Sequence, residues 1–182
     1  MDLQKDIQSV LVDEAQIKAI CERLGKQITL DYKDKASPIL LGLLKGCVPF
    51  ISDLAKHIDL KIEIEYMDVS SYHGGISSSG DVKIRKDMNT SVAGRDILIA
   101  EDIVDTGRTL DTIIKLLMHR GAKSVQVVTL LDKPAGRVIP FVPTYIGVTI
   151  PKAFVVGYGL DYDEFYRNLP YVGILKPEIY TK

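Results

Sequence analysis

Short apolar runs alternate with longer segments of helical periodicity along most of this sequence. The runs "PILLGLL", "DILIA" and "SVQVVTLL" have the length and composition of buried strands. One intervening segment carries an apolar stripe at helical spacing, formed by Leu110, Ile113, Ile114, Leu117 and Met118. Strands separated by helices of about 10 to 15 residues favour a mainly parallel sheet flanked by helices. We therefore predict an α/β fold.

The ends of several elements can be predicted from local signals. Asp13 has the character of an N-cap, and Gln16 three residues later completes a capping box, so we expect a helix to about Asp31. Proline in a first turn predicts a second helix from about Pro49 to Ile58. The segment "KIEIEYMDV" alternates apolar and charged residues, which predicts a strand with one wet face.

The chain is expected to form one domain. Its 182 residues, 46% of them hydrophobic, suffice for one core. We place the α/β core at about residues 36–132. From Lys133 onward, prolines and short β-like pieces replace the earlier rhythm, so residues 133–182 and the N-terminal segment are expected to form a small hood at the carboxyl edge of the sheet.

Composition argues against several functional classes. A net charge of −1 gives no broad basic surface for nucleic acid. The N-terminus lacks the pattern of a signal peptide, and the apolar runs are too short to span a bilayer, so we expect a soluble cytoplasmic protein.

Cys21 lies on a helical apolar stripe, and Cys47 has no partner that marks a nucleophile. The three histidines lack metal-ligand spacing.

The most informative stretch is "ILIAEDIVDTGRTL", Ile97 to Leu110. It leads from an apolar strand into Glu101, Asp102 and Asp105, which are costly to bury unless a metal, sugar hydroxyls or a phosphate ligand compensates them. The turn "DTGRT" would open a helix whose N-terminal N–H groups favour a phosphate. The alternative is that Asp105 or Thr106 only caps the helix while the acid pair is solvated.

The complete stretch resembles the phosphoribosyl-pyrophosphate (PRPP) signature of type I phosphoribosyltransferases. No Walker A loop or Gly-x-Gly-x-x-Gly motif competes with this interpretation. Further stretches, "LLKG", "SSYHGG", "LLDKP" and "IPKAFVVGYGLDYDEFYRNLP", are similar to the hypoxanthine-guanine branch. The resemblance covers about Val10 to Leu175, and it implies the type I phosphoribosyltransferase fold.

The resemblance assigns roles on the PRPP side of the site. The acidic pair Glu101 and Asp102 would hold the ribose hydroxyls and, with Asp161, Mg²⁺. Lys45, Gly46 and Arg167 would bind pyrophosphate. The 5′-phosphate loop would consist of Asp105, Thr106, Gly107, Arg108 and Thr109.

On the purine side, the resemblance makes Asp105 the general base. Lys133 would donate to the 6-oxo group, Phe154 would stack on the base, and Val155 would contact it through its backbone. The family pattern also implies a cis peptide between Leu44 and Lys45. Two departures are visible, because Cys47 stands where glycine is common and Arg108 replaces a frequent lysine.

The segment Ser71 to Gly80, "SYHGGISSSG", has no periodicity and is rich in Gly and Ser, so we expect a mobile loop. The resemblance implies that Ser71 and Tyr72 close over the active site. A plain connection between two strands is the alternative.

The resemblance thus implies a purine salvage enzyme, a homodimer or homotetramer, that converts PRPP and hypoxanthine or guanine to IMP or GMP and pyrophosphate. A xanthine-preferring enzyme is a close alternative. An RNA-binding regulator of pyrimidine operons shares the fold, but it would need a basic face and a pyrimidine pocket.

Overall fold

The described residues, 3–71 and 82–181, alternate strands and helices in this computed structural model. In chain order the elements are β1 (Ile7–Val12), α1 (Glu14–Tyr32), β2 (Ile39–Leu44), α2 (Val48–Ala55), β3 (Glu63–Ser71), β4 (Val82–Lys86), β5 (Asp96–Val104), α3 (Arg108–His119), β6 (Ser124–Asp132), β7 (Tyr145–Thr149), β8 (Val155–Val156), β9 (Val172–Leu175) and α4 (Pro177–Tyr180). The expected mobile loop, with the Ser71 side chain and Tyr72, lies outside the described residues.

Two sheets organise this part of the chain. The larger has the strand order β4-β3-β2-β5-β6-β7, and its neighbours are parallel except for the antiparallel edge strand β4. This arrangement confirms the predicted α/β class with a mainly parallel sheet. The smaller sheet has the antiparallel order β1-β9-β8, so it joins the N-terminal segment to the tail.

The core lies on both faces of the larger sheet. Alternate residues of one strand point to opposite faces, so Leu40 and Leu98 pack in one cluster with residues of α1 and α2. Leu41 and Ile99 pack in the other cluster with residues of α3. The central strands β2 and β5 are therefore covered on both sides, as their continuous apolar runs predict.

The helices begin as predicted, but one ends earlier. The capping box of α1 is confirmed, since the Gln16 N–H donates to Asp13 Oδ1 at 2.8 Å and the Asp13 N–H donates to Gln16 Oε1 at 2.9 Å. Helix α2 ends at Ala55 because the His57 N–H turns to the Leu54 carbonyl, three residues back, at 3.0 Å. None of the helices in the described ranges is long and apolar enough to cross a membrane.

The prediction of a single wet face on β3 is wrong. Glu65, on the charged side of the alternation, is only 8% exposed, whereas Ile64 is 45% exposed. The side chains of Met67 and Val69 share the face of Glu65 and pack in the α3-side cluster with Val92. This cluster covers the face that the sequence pattern had left to solvent.

Candidate active site

The first wall of the site is the turn that follows β2. The peptide between Leu44 and Lys45 is cis, which confirms the expectation for this position. A Cβ atom at Gly46 would lie 1.8 Å from Asp102 Oδ2, so only glycine fits against that carboxylate. The tail packs closely against the same turn, since a Cβ atom at Gly159 would lie 2.0 Å from the Gly46 carbonyl oxygen.

The acidic pair lies within a strand. Strand β5 continues to Val104, whereas the sequence suggested that it ends at Ala100 before the acids. Its pairing with β2 does stop at Ala100, while Glu101 still pairs with Thr129 of β6. Both carboxylates therefore stand where β2 separates from β5, while β2 stays paired with β3 to Leu44, and both line a cavity.

Both carboxyls of this pair have raised pKa values, and burial is the largest cause for each. Burial, reinforced by the charge of Asp102, raises the pKa of Glu101 well above its ordinary value. Burial raises the pKa of Asp102 to about 6, although the N–H of Ile103, which donates to Asp102 Oδ1 at 2.8 Å, opposes this. Two such carboxyls favour hydroxyl groups or a cation that compensates their charge.

The turn after β5 has the shape of an anion site. Gly107 adopts a left-handed conformation (φ 79°) and is the N-cap of α3, with no side-chain hydrogen bond to the cap. Gly107 is the N-cap rather than Asp105 or Thr106, although Thr106 Oγ1 accepts the Arg108 N–H at 3.4 Å. The first N–H groups of a helix lack intrahelical acceptors, and they attract anions.

Asp105 instead meets Lys133, which follows β6. Their closest oxygen and nitrogen are 2.5 Å apart, and the Lys133 side chain is 15% exposed. The Lys133 N–H also donates to the Val104 carbonyl at 3.0 Å. Gly136 was not singled out in the sequence, yet its Cβ would lie 1.6 Å from Asp105 Oδ1, so this glycine makes room for the carboxylate.

Phe154 and Val155, which the sequence predicts to contact the base, lie in the hood. Val155 is buried in β8, and Phe154 beside it is 39% exposed. The Phe154 ring stacks on Tyr180 with centroids 4.7 Å apart and contacts Tyr162 edge-on at 5.7 Å. Sequence reasoning missed Tyr180, because nothing in "KPEIYTK" marks an aromatic partner.

Charged side chains from the tail reach the turn after β2. Arg167 pairs with Asp161 at 2.9 Å and with Glu164 at 3.2 Å. Lys45 pairs with the same Glu164 oxygen at 3.0 Å. The guanidinium also donates to the Gly159 carbonyl at 2.8 Å, while its buried Nε has no partner among the described residues.

A cavity of about 360 Å³ connects these groups. Among its walls are predicted PRPP-side residues, namely Lys45, Gly46, Glu101, Asp102, Asp105, Thr106, Gly107, Thr109, Asp161 and Arg167. Within the described part of the chain, Arg108, Lys133, Phe154 and Val155 are not wall residues of this cavity. Lys133 adjoins it through Asp105.

Cys47 also adjoins this site but remains a thiol. It is fully buried, and burial, together with the charges of Glu101 and Asp102, raises its pKa far above the ordinary value. A thiolate is the reactive form of cysteine. Cys47 is therefore a packing residue, as its lack of an activating partner in the sequence suggested.

Comparison with known proteins places this site in context. Residues 8–163 match the phosphoribosyl transferase domain family. The chain is 57% identical over 181 residues to a hypoxanthine-guanine phosphoribosyltransferase of Lactococcus lactis, covering 100% of this chain and 98% of that one. It is 54% identical to a Listeria innocua bifunctional protein, TilS/HprT, covering 99% of this chain and 28% of that longer protein. A solved hypoxanthine phosphoribosyltransferase of Staphylococcus aureus superposes with a TM-score of 0.94 at 50% identity, over 100% of this chain and 98% of that one.

Proposed function

Because this chain belongs to the phosphoribosyl transferase domain family, we propose that it transfers the 5-phosphoribosyl group from PRPP to hypoxanthine or guanine. The products are IMP or GMP and pyrophosphate. One observation carries the proposal. The cavity joins an acidic pair and a helix N-terminus to Asp105, and Asp105 is held 2.5 Å from Lys133, a donor suited to a 6-oxo purine.

On the PRPP side, three anionic or polar parts of the substrate have matching partners. The 5′-phosphate would sit on the turn Thr106–Gly107 and the first N–H groups of α3, with Arg108 and Thr109 beside it. The ribose hydroxyls would bind the carboxyls of Glu101 and Asp102. Pyrophosphate would bind Lys45, the Gly46 turn and Arg167, all of which line the cavity.

Mg²⁺ suits this site as an ion carried by the substrate. In the described ranges, no three histidine, cysteine or acidic side chains gather closely enough to hold a metal. Mg²⁺ usually takes one or two carboxylates and completes its shell with water and substrate phosphates. Asp102 and Asp161, with Glu101 behind them, would supply those carboxylates. When bound, the ion would stabilise the negative charge of the leaving pyrophosphate.

The Asp105–Lys133 pair would divide the work on the purine. A bond forms between N9 of the purine and C1 of the ribose as the bond from C1 to pyrophosphate breaks. The purine separates the ion pair, so that Lys133 donates to the 6-oxo oxygen and Asp105 accepts the proton released from N7. Phe154, backed by Tyr180, would stack on the ring.

A substrate panel tests this function. Adenine offers an amino group where Lys133 needs an acceptor, and a mismatch of that kind can reduce turnover by about 10⁴. Phosphoribosyl transfer to hypoxanthine, guanine, xanthine and adenine should be measured side by side. We expect rapid formation of IMP and GMP and almost no AMP. Xanthine as the best substrate, or no transfer to any of the four, would contradict the proposal.

We also propose that the chain works in the cytoplasm as a dimer or tetramer. Its two cysteines are free and buried, which suits a reducing compartment. Large apolar side chains near the site are exposed, including Val48 at 44% and Phe165 at 66%. Light scattering of the purified protein tests the assembly, and a monomeric mass would contradict it.

A further inference from the structure

We propose that Glu164 is an internal competitor of pyrophosphate, an anion of the chain itself that occupies the two pyrophosphate-binding cations until substrate displaces it. This inference deepens the proposed function and rests on it. It assigns Glu164 a part in setting the affinity of the site for PRPP and for released pyrophosphate.

One carboxylate oxygen carries the argument. Glu164 Oε2 lies 3.0 Å from Lys45 Nζ and 3.2 Å from an Arg167 guanidinium nitrogen. These two cations come from opposite sides of the cleft, one from the turn after β2 and one from the hood. A phosphate oxygen that bridged them would need the position that Glu164 Oε2 now holds.

The backbone is shaped to hold the carboxylate there. Asp163 and Glu164 both adopt left-handed conformations, with φ values of 53° and 68°, which residues other than glycine seldom do. The Glu164 N–H donates to Asp161 Oδ2 at 3.0 Å, and Tyr162 pairs with Phe165 across the same tight turn. A turn built from such residues is consistent with a specific position for the Glu164 side chain.

The ion pair between Glu164 and Lys45 can be exchanged for a ligand because it is exposed to solvent. The side chains of Lys45 and Glu164 are 60% and 63% exposed, and ion pairs at such exposure are weak. The carboxylate faces two cations, Lys45 at 3.0 Å and Arg167 at 3.2 Å, so the contact is an ion pair on both sides. A pyrophosphate group bears more charge than one carboxylate, so it displaces Glu164. Breaking the exposed ion pairs of Glu164 costs little free energy.

The consequence is a site tuned toward release. Without Glu164, Lys45 would lose this ion pair and Arg167 would keep its contacts with Asp161 and the Gly159 carbonyl, so PRPP and pyrophosphate would both bind more tightly. With Glu164, each departure of pyrophosphate returns the cations to a paired state. The residue should therefore weaken the binding of the two pyrophosphate-containing ligands and leave the purine unaffected.

The test compares Glu164→Gln with the matched control Asp163→Asn, which removes a charge from the neighbouring residue. Titration calorimetry gives the Kd of Mg-pyrophosphate, and initial rates give KM for PRPP and for hypoxanthine. For Glu164→Gln we expect Kd for pyrophosphate and KM for PRPP to fall about 2- to 10-fold, the effect of one or two exposed pairs. The KM for hypoxanthine should not change, and Asp163→Asn should match the wild type.

Tighter binding is a result that mere damage to the turn would not produce. Circular dichroism checks that each variant folds, and Glu164→Ala, expected to act in the same direction, serves if glutamine disturbs the turn. Unchanged or weaker pyrophosphate binding in both Glu164 variants, beside an active wild type, would overturn this inference alone. A wild-type protein that neither transfers phosphoribosyl groups nor binds pyrophosphate would overturn the proposed function as well.

Discussion

Replacing Asp102 with asparagine should stabilise the ligand-free protein above neutral pH. The Asp102 carboxyl is held beside Glu101, and its pKa is raised to about 6, chiefly by burial. Asparagine keeps an oxygen that can accept the Ile103 N–H, now at 2.8 Å from Asp102 Oδ1. It removes the charge of this half-buried carboxylate and its repulsion on Glu101. The variant should gain stability and lose activity, because the same carboxylate is proposed to bind the ribose hydroxyls and Mg²⁺.

The size of the effect follows from proton linkage. The pKa of Asp102 is about 6 in the folded protein, against about 3.9 in an unfolded chain. Since the folded state binds this proton more tightly, its contribution to the free energy of unfolding is greatest below about pH 4 and is lost as the pH rises through about 6. The full loss is about 3 kcal/mol for about two pKa units. Between pH 8 and pH 5, the wild type regains about 1.4 kcal/mol of it.

Urea unfolding of both proteins at pH 8 and pH 5 measures this difference. We expect Asp102→Asn to be the more stable at pH 8, with an advantage that shrinks by about 1.4 kcal/mol at pH 5. Asp111→Asn is the control, because its carboxylate pairs with Lys115 on the outer face of α3 at 2.8 Å, and such a pair contributes about 0.5 kcal/mol or less. An advantage that does not vary with pH, or a variant less stable at pH 8, would refute the reasoning.

Three further predictions concern activity. Asp105→Asn should lower kcat by about 10- to 10³-fold, the range for loss of a general base, while the Kd of PRPP changes little; equal losses in both would make Asp105 a binding residue. Gly46→Ala should lower kcat/KM by about 10²-fold with the fold retained, because its Cβ would lie 1.8 Å from Asp102 Oδ2; wild-type kinetics would show that the carboxylate can move freely. EDTA should abolish transfer and added Mg²⁺ restore it, and full turnover in chelator would remove the metal from the proposal.

Periodicity and motifs predicted the parts of this fold that depend on local sequence. The strands around Leu41, Ile99 and Val128, the capping box at Asp13 and the start of α3 after the turn at Gly107 all follow from short-range patterns. The acidic pair and the phosphate turn are adjacent in sequence, so one motif specified them together. For these residues, local propensity and tertiary structure agree.

The parts that the sequence did not predict depend on what packs against them. Glu65 is buried because residues far along the chain cover its face of β3, and the alternation of charges around it carries no sign of that cover. Tyr180 stacks on Phe154 although it lies 26 positions further along the chain. A short sequence motif does not predict a contact at that separation. Gly136 makes room for the Asp105 carboxylate because it has no side chain. The two residues are 31 positions apart, so their contact could not be predicted from the local sequence.

The strand order of the hood has a consequence for how the protein is made. The last strand in the sequence, β9, lies between β1 and β8, so β8 and its Val155 have no partner in this sheet until residues 172–175 are present. The turn after β2, the acidic pair and the turn at Gly107 precede Asp132, whereas Asp161 and Arg167 follow in the tail. A chain emerging from the ribosome therefore carries the elements proposed for the ribose and the 5′-phosphate long before it can build a place for the base. A product truncated at Asp132 would hold the elements proposed for the ribose and the 5′-phosphate, and it would lack both Arg167 and a place for the base.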